Sequence, residues 1–176
     1  MLYTSFIIGL PTFLTTVTGT FVVPINSSST ALTLSSGSSR FFYQDDDLSI
    51  HEVSTLISPA NGIYADVSLV PGNIVRENTP LACLVWPASA EDFGVVFLFF
   101  ISAGNQLYQW TWLDGTGWKA GTLNFHDVYV APGTTFLCTI ASSATDSETA
   151  RIEYLNPAGN ACEVLATGGH WSEECY

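Results

Sequence analysis

The sequence predicts an all-β protein built from about three repeated antiparallel meanders. Three observations lead to this fold class. Apolar and β-branched stretches alternate with turns rich in Asp, Asn, Gly and Pro along the 176 residues. No segment shows an apolar period of 3.6 residues over the length of a helix. A related hairpin also occurs three times, and a repeat of this kind decides the architecture of the whole chain.

The repeated hairpin is an aromatic or β-branched strand, a polar turn and a second short strand. It begins at Arg40, and its counterparts begin at Phe97 and Arg151. The second hairpin thus starts 57 residues after the first, and the third starts 54 residues after the second. Another apolar strand precedes each hairpin, so each unit contains three or four strands. We expect these preceding strands at Ala31 to Leu34, Leu81 to Trp86 and Phe136 to Ile140.

Meanders that recur at this spacing are typical of the blades of a β-propeller, because a single sheet buries both faces only between neighbouring sheets. The sequence therefore predicts a propeller-like domain over residues 21–176, with units at about 30–70, 80–122 and 134–173. Three blades cannot close a ring, since propellers have about four to eight. Two chains could associate into six blades, the chain could belong to a longer one, or the units could pack openly. The homodimer is favoured because it covers the open blade faces.

The charge of the chain limits its partners. Four Lys and Arg against sixteen Asp and Glu give a net charge of −12. Such a surface repels phosphate backbones and anionic headgroups, so we expect neither nucleic acid nor a membrane surface as a partner. No uninterrupted apolar stretch reaches the roughly 18 to 20 residues of a membrane-spanning helix. Few charges and many aromatic residues suit a neutral ligand.

Residues 1–20 allow two interpretations. The apolar run from Phe6 to Leu14 resembles the central region of a secretory signal peptide, but no positive charge precedes it. An ordinary first strand is the alternative. Asn26 begins an N-glycosylation sequon, which favours a secreted over a cytoplasmic protein.

The four cysteines lack the close paired spacing of a zinc site or a redox motif, so we expect no metal. Cys83 and Cys138 lie in apolar strands and are predicted to be small buried hydrophobes. Cys162 and Cys175 could form a disulfide in a secreted protein, and the sequence leaves this open.

Two arginines occupy the same repeat position. Arg40 and Arg151 each stand twelve residues before a glutamate, Glu52 and Glu163. Across a hairpin, the early part of one strand lies opposite the late part of the next, so these side chains can meet. They could form a surface salt bridge, worth at most about 1 kcal/mol. They could instead bond the vicinal hydroxyls of a sugar.

Three of the five tryptophans crowd into one stretch, at Trp110, Trp112 and Trp118. Indole faces suit the C–H-rich face of a pyranose, whereas the alternative is that all three belong to the core. Because they occupy alternating and turn positions, we do not expect all three to be fully buried.

The pattern Arg-x-x-Tyr-Gln…Ile-x-Glu, from Arg40 to Glu52, is followed by Gln-Trp-x-Trp…Gly-x-Gly-Trp, which ends at Trp118. Over roughly residues 31–171 it resembles the fucose-binding lectins of fungi and some bacteria, which are six-bladed β-propellers. The resemblance implies that L-fucose or a related neutral monosaccharide, free or in fucosylated glycans, binds between adjacent blades without a cofactor. It assigns the polar pair to Arg40 and Glu52, and the aromatic walls to Trp112 and Trp118.

The other units depart from this pattern. Phe97 and Gln109 replace the polar pair of the second unit, and Ala166 replaces an aromatic of the third, which leaves only Trp171. We therefore expect no sugar at this second junction.

The third unit keeps a polar pair, Arg151 and Glu163, but its aromatic partners would have to come from a following blade. The first unit of a second subunit would offer Thr55 there instead of a tryptophan. We expect a weak site or none.

Two other function classes compete with a lectin. A hydrolase would need carboxylates such as those of Asp45 to Asp47, but acidic residues at a hairpin tip are ordinary turn formers. Neither a nucleophile elbow nor a metal-binding pair of histidines is present, so we do not expect an enzyme. The remaining alternative is a degenerate propeller that binds a protein partner and no sugar.

Overall fold

The computed structural model of the chain describes residues 23–24, 27–34, 37–55, 64–86, 93–144 and 147–176. The predicted signal segment at residues 1–20 and the asparagine of the sequon lie outside these ranges. Within them, no helix has the length and apolar character that crossing a bilayer requires.

Three four-stranded antiparallel sheets follow one another along the chain, and in each the strands lie side by side in chain order. This confirms the all-β prediction and gives each repeat four strands. We call the three sheets the first, second and third blades. Their strands are β1 (Ser29–Thr33), β2 (Ser39–Gln44), β3 (Ile50–Thr55), β4 (Tyr64–Val70), β5 (Ala82–Trp86), β6 (Val95–Ile101), β7 (Leu107–Leu113), β8 (Gly117–Ala120), β9 (Cys138–Ala144), β10 (Ser147–Leu155), β11 (Ala161–Thr167) and β12 (His170–Cys175).

The second blade lies between the other two, which explains the sequence of β6. This strand reads VVFLFFI without polar interruption. Successive side chains point to opposite faces of a sheet, so such a run suits a strand that is covered on both sides. Leu98 and Phe100 belong to the core shared with the first blade, whereas Phe99 and Ile101 belong to the core shared with the third. The blades therefore stack face to face around two separate apolar cores.

The same type of backbone hydrogen bond joins each pair of consecutive blades. The backbone N–H of Arg76, in the connection from β4 to β5, donates to Ile101 O at 3.0 Å. The N–H of Ala131, in the next connection, donates to Leu155 O at 2.7 Å. Each connection thus pairs with the end of the central hairpin in the blade that follows, and this fixes the spacing of the blades.

Gln44 ties the first hairpin to the connection after it. Its Nε2 donates to Leu48 O at 3.1 Å and to Arg76 O at 2.9 Å, and its Oε1 accepts from the Thr79 N–H at 3.2 Å. The side chain is buried, so these bonds satisfy polar groups that would otherwise be costly to bury. This amide helps to hold the first blade against the second.

The acidic tip of the first hairpin is a turn. The Leu48 N–H donates to Asp45 O at 2.9 Å, and Asp47 Oδ1 accepts from the Ser49 N–H at 2.9 Å. Leu48 has a φ of 69°, a left-handed conformation that such tight turns require. These carboxylates therefore form the turn that the sequence predicts.

Cys162 and Cys175 form a disulfide between β11 and β12, where they are register partners. The other two cysteines are free thiols. The sequence predicts that they are buried, whereas in the structure they are only partly buried. Cys83 is on β5 and Cys138 begins β9. These are edge strands of their sheets, so one side of each strand lacks a neighbour in its own sheet.

Candidate functional site

The junction of the first and second blades brings together four residues that the sequence singles out. Arg40 lies on β2 and Glu52 on β3, both on the face of the first blade that meets the second. Trp112 on β7 and Trp118 on β8 are direct register partners on the facing side. We call these four residues the first-junction site.

The arginine and the glutamate meet diagonally. Arg40 is the register partner of Ser54, and Glu52 is the register partner of Phe42. The two side chains are therefore two positions apart on the same face of the sheet, not directly opposite as the hairpin argument expects. Arginine is long enough to span this diagonal.

The polar groups of the first-junction site bond to one another. Arg40 Nη1 lies 2.9 Å from Glu52 Oε1, and the Trp118 Nε1–H donates to Glu52 Oε2 at 2.7 Å. Arg40 and Glu52 are only 8% and 7% exposed. Burial lowers the pKa of the Arg40 guanidinium, and the Glu52 carboxylate partly offsets this effect. The result is a desolvated ion pair and not a salt bridge on the surface.

Aromatic rings surround the guanidinium. Arg40 Cζ lies 4.1 Å from the ring centroid of Trp112, 4.6 Å from that of Phe93 and 5.9 Å from that of Trp118. Cations over aromatic faces at these distances gain about 0.5 to 2 kcal/mol, with the larger values where water is excluded. The rings thus compensate part of the desolvation of the pair.

Phe93 is a residue of this site that the sequence did not reveal. It stands four positions before Phe97, and the corresponding positions of the other units are Ser36 and Ser147. Because neither of these residues is aromatic, a comparison of the repeats could not identify Phe93. A lone aromatic just before a strand is the only signal, and such residues are common.

The guanidinium still has hydrogen-bonding capacity. It carries five N–H donors, and among the described residues only Nη1 of Arg40 has an acceptor, the Glu52 carboxylate. Nη2 and Nε make no hydrogen bond within the described ranges. An acceptor oxygen from outside the chain would satisfy them.

The polar pair of the third blade is more open. Arg151 Nη1 lies 3.5 Å from Glu163 Oε2, and the arginine side chain is 46% exposed. Trp171 is on the other face of this blade, where its ring centroid lies 6.5 Å from that of Phe97. The structure thus does not bring Trp171 together with Arg151 and Glu163.

Three residues that depart from the repeat pattern, together with Trp171, which keeps it, border a cavity between the second and third blades. The cavity has a volume of about 250 Å³ and is lined by Phe97, Gln109, Ala166 and Trp171, among others. The small Ala166 leaves room where an aromatic side chain would stand. The sequence predicted the loss of the polar pair here but not the space that remains.

No protein-family model and no curated protein matches the sequence. Solved structures do match. The Aleuria aurantia lectin, a six-bladed β-propeller, is 18% identical, with a TM-score of 0.69 over 88% of this chain. AofleA from Arthrobotrys oligospora is 21% identical, with a TM-score of 0.68 over 85% of this chain. A fucose lectin from Kordia zhangzhouensis in complex with methyl-fucoside is 14% identical, with a TM-score of 0.62 over 85% of this chain.

The chain spans 50% of the length of the Aleuria lectin and 41% of that of AofleA, but 99% of the Kordia chain. At these identities the likeness establishes the fold. The chain contains three blades of the β-propeller seen in these lectins.

Proposed function

We propose that the chain is a carbohydrate-binding lectin that takes L-fucose or a related neutral monosaccharide at the first-junction site, without catalysis, a metal or a cofactor. The observation that carries this proposal is the incomplete hydrogen bonding of Arg40. Its guanidinium is held in place by Glu52 and by aromatic rings, yet two of its nitrogens have no acceptor within the described ranges. A hydroxyl oxygen of a sugar is an acceptor of the right kind.

The rest of the site suits the same ligand. Each Glu52 oxygen already accepts one hydrogen bond and has a further lone pair for a sugar hydroxyl. Trp112 and Trp118 are partly exposed, and their indoles can pack against C–H groups. The strong negative charge of the chain favours an uncharged sugar over an acidic one. The fucoside bound to the Kordia lectin supports this choice of ligand.

Phe93 stands in the way of a ligand. Its ring contacts the Arg40 guanidinium, and Arg40 as a whole residue is only 8% exposed. A pyranose that bonds to Nη2 or Nε must replace this ring contact. We therefore propose that binding displaces Phe93 from the guanidinium.

Calorimetric titration with L-fucose tests this function. We expect saturable binding to the wild-type chain and tighter binding to the Phe93→Ala variant, because the ring no longer competes for the guanidinium. Arg40→Lys keeps a positive charge beside Glu52 but loses the planar set of donors. It should lower the affinity at least about tenfold, as expected for the loss of a hydrogen bond from a charged group.

The matched control is Arg151→Lys, which makes the same exchange in the third blade and should leave the affinity unchanged. D-galactose serves as the ligand control. Absence of binding by the folded wild-type chain overturns the lectin proposal. If Arg40→Lys and Arg151→Lys lower the affinity for L-fucose equally, the assignment of the site is wrong.

One observation favours the alternative of a protein-interaction module. Arg40 and Glu52 are buried and bonded to each other, as in a purely structural ion pair. If that is their only role, the Arg40→Lys exchange changes stability and L-fucose changes nothing.

We further propose that two copies associate through the open face of the third blade. Ile140 on this face is 47% exposed, and Arg151 beside it on β10 is about half exposed. A second copy would cover this face as the third blade covers the second. In the partner, the first blade would be the element that packs against it.

Light scattering on the eluting protein tests this association. We expect a mass twice that of the chain for the wild type and a shift towards the monomer for Ile140→Asp, because a charge on the covered face prevents packing. Phe125→Asp is the control, since Phe125 is 83% exposed and lies outside the blade face. A monomeric wild-type chain at micromolar concentration refutes the proposed dimer.

A further inference from the structure

The cavity between the second and third blades, which we call the second-junction cavity, has aromatic walls. The ring centroid of Phe97 lies 6.4 Å from that of Trp86 and 6.5 Å from that of Trp171. The Trp171 Nε1–H donates to Thr122 Oγ1 at 3.0 Å, which fixes the orientation of this indole. The walls are therefore preformed, apolar and provided by large rings.

A buried amide lies among these rings. Gln109 lines the cavity and is only 2% exposed. Its Oε1 accepts from the Leu123 N–H at 3.2 Å, which identifies this atom as the oxygen. Its Nε2 makes no hydrogen bond within the described part of the chain. The cavity thus contains a donor group in apolar surroundings, which an acceptor atom of a ligand would satisfy.

Gly121 makes this position of the amide possible. A Cβ atom at residue 121 would lie 2.2 Å from Gln109 Oε1 and 2.6 Å from its Cγ. The φ of Gly121 is −86°, which any residue can adopt, so the close approach is the reason for glycine here. The backbone therefore makes room for the glutamine side chain.

We propose that the second-junction cavity binds a small aromatic molecule that carries a carbonyl oxygen. The ring would pack against Phe97 and the two indoles, and the carbonyl oxygen would accept from Gln109 Nε2. An apolar cavity of about 150 Å³ is enough for benzene, so the volume of about 250 Å³ holds a ring with a substituent. The absence of an ion pair at Phe97 and Gln109 argues against a polyhydroxylated ligand.

Lys119 distinguishes two forms of this ligand. It lines the cavity, is exposed and makes no ion pair with the described residues. A carboxylate and a neutral amide share the carbonyl oxygen that Gln109 requires, but only the carboxylate gains from the ammonium group. The two forms can therefore be compared directly.

Ligand-observed NMR titrations with benzamide and benzoate test the proposal. We expect the wild-type chain to bind at least one of them. Gln109→Glu keeps an acceptor for the Leu123 N–H but turns a carboxylate oxygen towards the carbonyl, so the affinity for benzamide should fall at least about tenfold. Ala166→Leu fills the cavity and should abolish binding of both probes.

Arg40→Lys is the control that separates this proposal from the sugar site, and it should leave binding of the aromatic probes unchanged. Tighter binding of benzoate, removed by Lys119→Ala, supports an aromatic carboxylate, whereas tighter binding of benzamide supports a neutral ligand. No binding of either probe by the folded chain overturns the proposal. Binding that Gln109→Glu and Ala166→Leu leave intact overturns it as well.

Discussion

Replacement of Arg40 by alanine is expected to lower the free energy of unfolding by about 3–5 kcal/mol, the usual loss when one partner of a buried ion pair is removed. The Glu52 carboxylate would keep a single donor, Trp118 Nε1, in a site that water barely reaches. The contact of the guanidinium with Trp112 would also be lost. Urea-induced unfolding, followed by circular dichroism, measures the change.

The third blade provides the control for this experiment. Arg151→Ala removes the equivalent arginine, but its side chain is half exposed and its distance to Glu163 is longer. We expect a loss of about 1 kcal/mol or less, as for a surface pair. Replacing both Arg40 and Glu52 by leucine should cost less than Arg40→Ala alone, because no unpaired charge stays buried. Equal losses in Arg40→Ala and Arg151→Ala would contradict the burial argument.

Removal of the disulfide is expected to have the second-largest effect. Cys162 and Cys175 are thirteen residues apart, so the bond closes a short loop that contains most of β11 and β12. The loop-closure entropy of the unfolded chain corresponds to about 3 kcal/mol. The free energy of unfolding of Cys175→Ser, measured by urea-induced unfolding, should be lower than that of the wild type by this amount. A reductant should have the same effect on the wild type and none on the variant.

Cys138→Ser is the matched control, since Cys138 is a free thiol in the same blade. It should change the stability by much less. Burial raises the pKa of the other free thiol, Cys83, to about 11, so that thiol should not exchange with the disulfide near neutral pH. If the reductant cleaves the bond, as thiol counting can verify, and the stability does not change, the disulfide contributes nothing to the fold.

The sequence was sufficient for the features that depend on local repetition. A separation of twelve positions between arginine and glutamate spans one hairpin, so the contacts of Arg40 with Glu52 and of Arg151 with Glu163 follow from the strand spacing. The fold class follows from the same spacing. The ends of the strands were less accurate. The strand expected at Phe136 to Ile140 is instead β9, which extends through polar residues because it pairs with β10 along its length.

Features that depend on how one sheet packs against another could not be predicted. The resemblance to the lectin family assigned Arg40 a binding role, but its burial depends in part on Phe93, which no other unit matches. The loss of the polar pair at Phe97 and Gln109 predicted an inactive junction. Whether such a junction collapses or stays open depends on the shapes of facing side chains, and here a cavity remains.

The number of junctions has a consequence for binding to surfaces. A row of three blades has two internal junctions, whereas a closed ring has as many junctions as blades. Each copy that joins a ring would therefore gain one interface that it lacks alone, at the face that carries Arg151 and Glu163. If that interface also holds a ligand, a rise in protein concentration would increase the number of sites per chain. Clustered glycans would then be bound with an avidity that no single site provides.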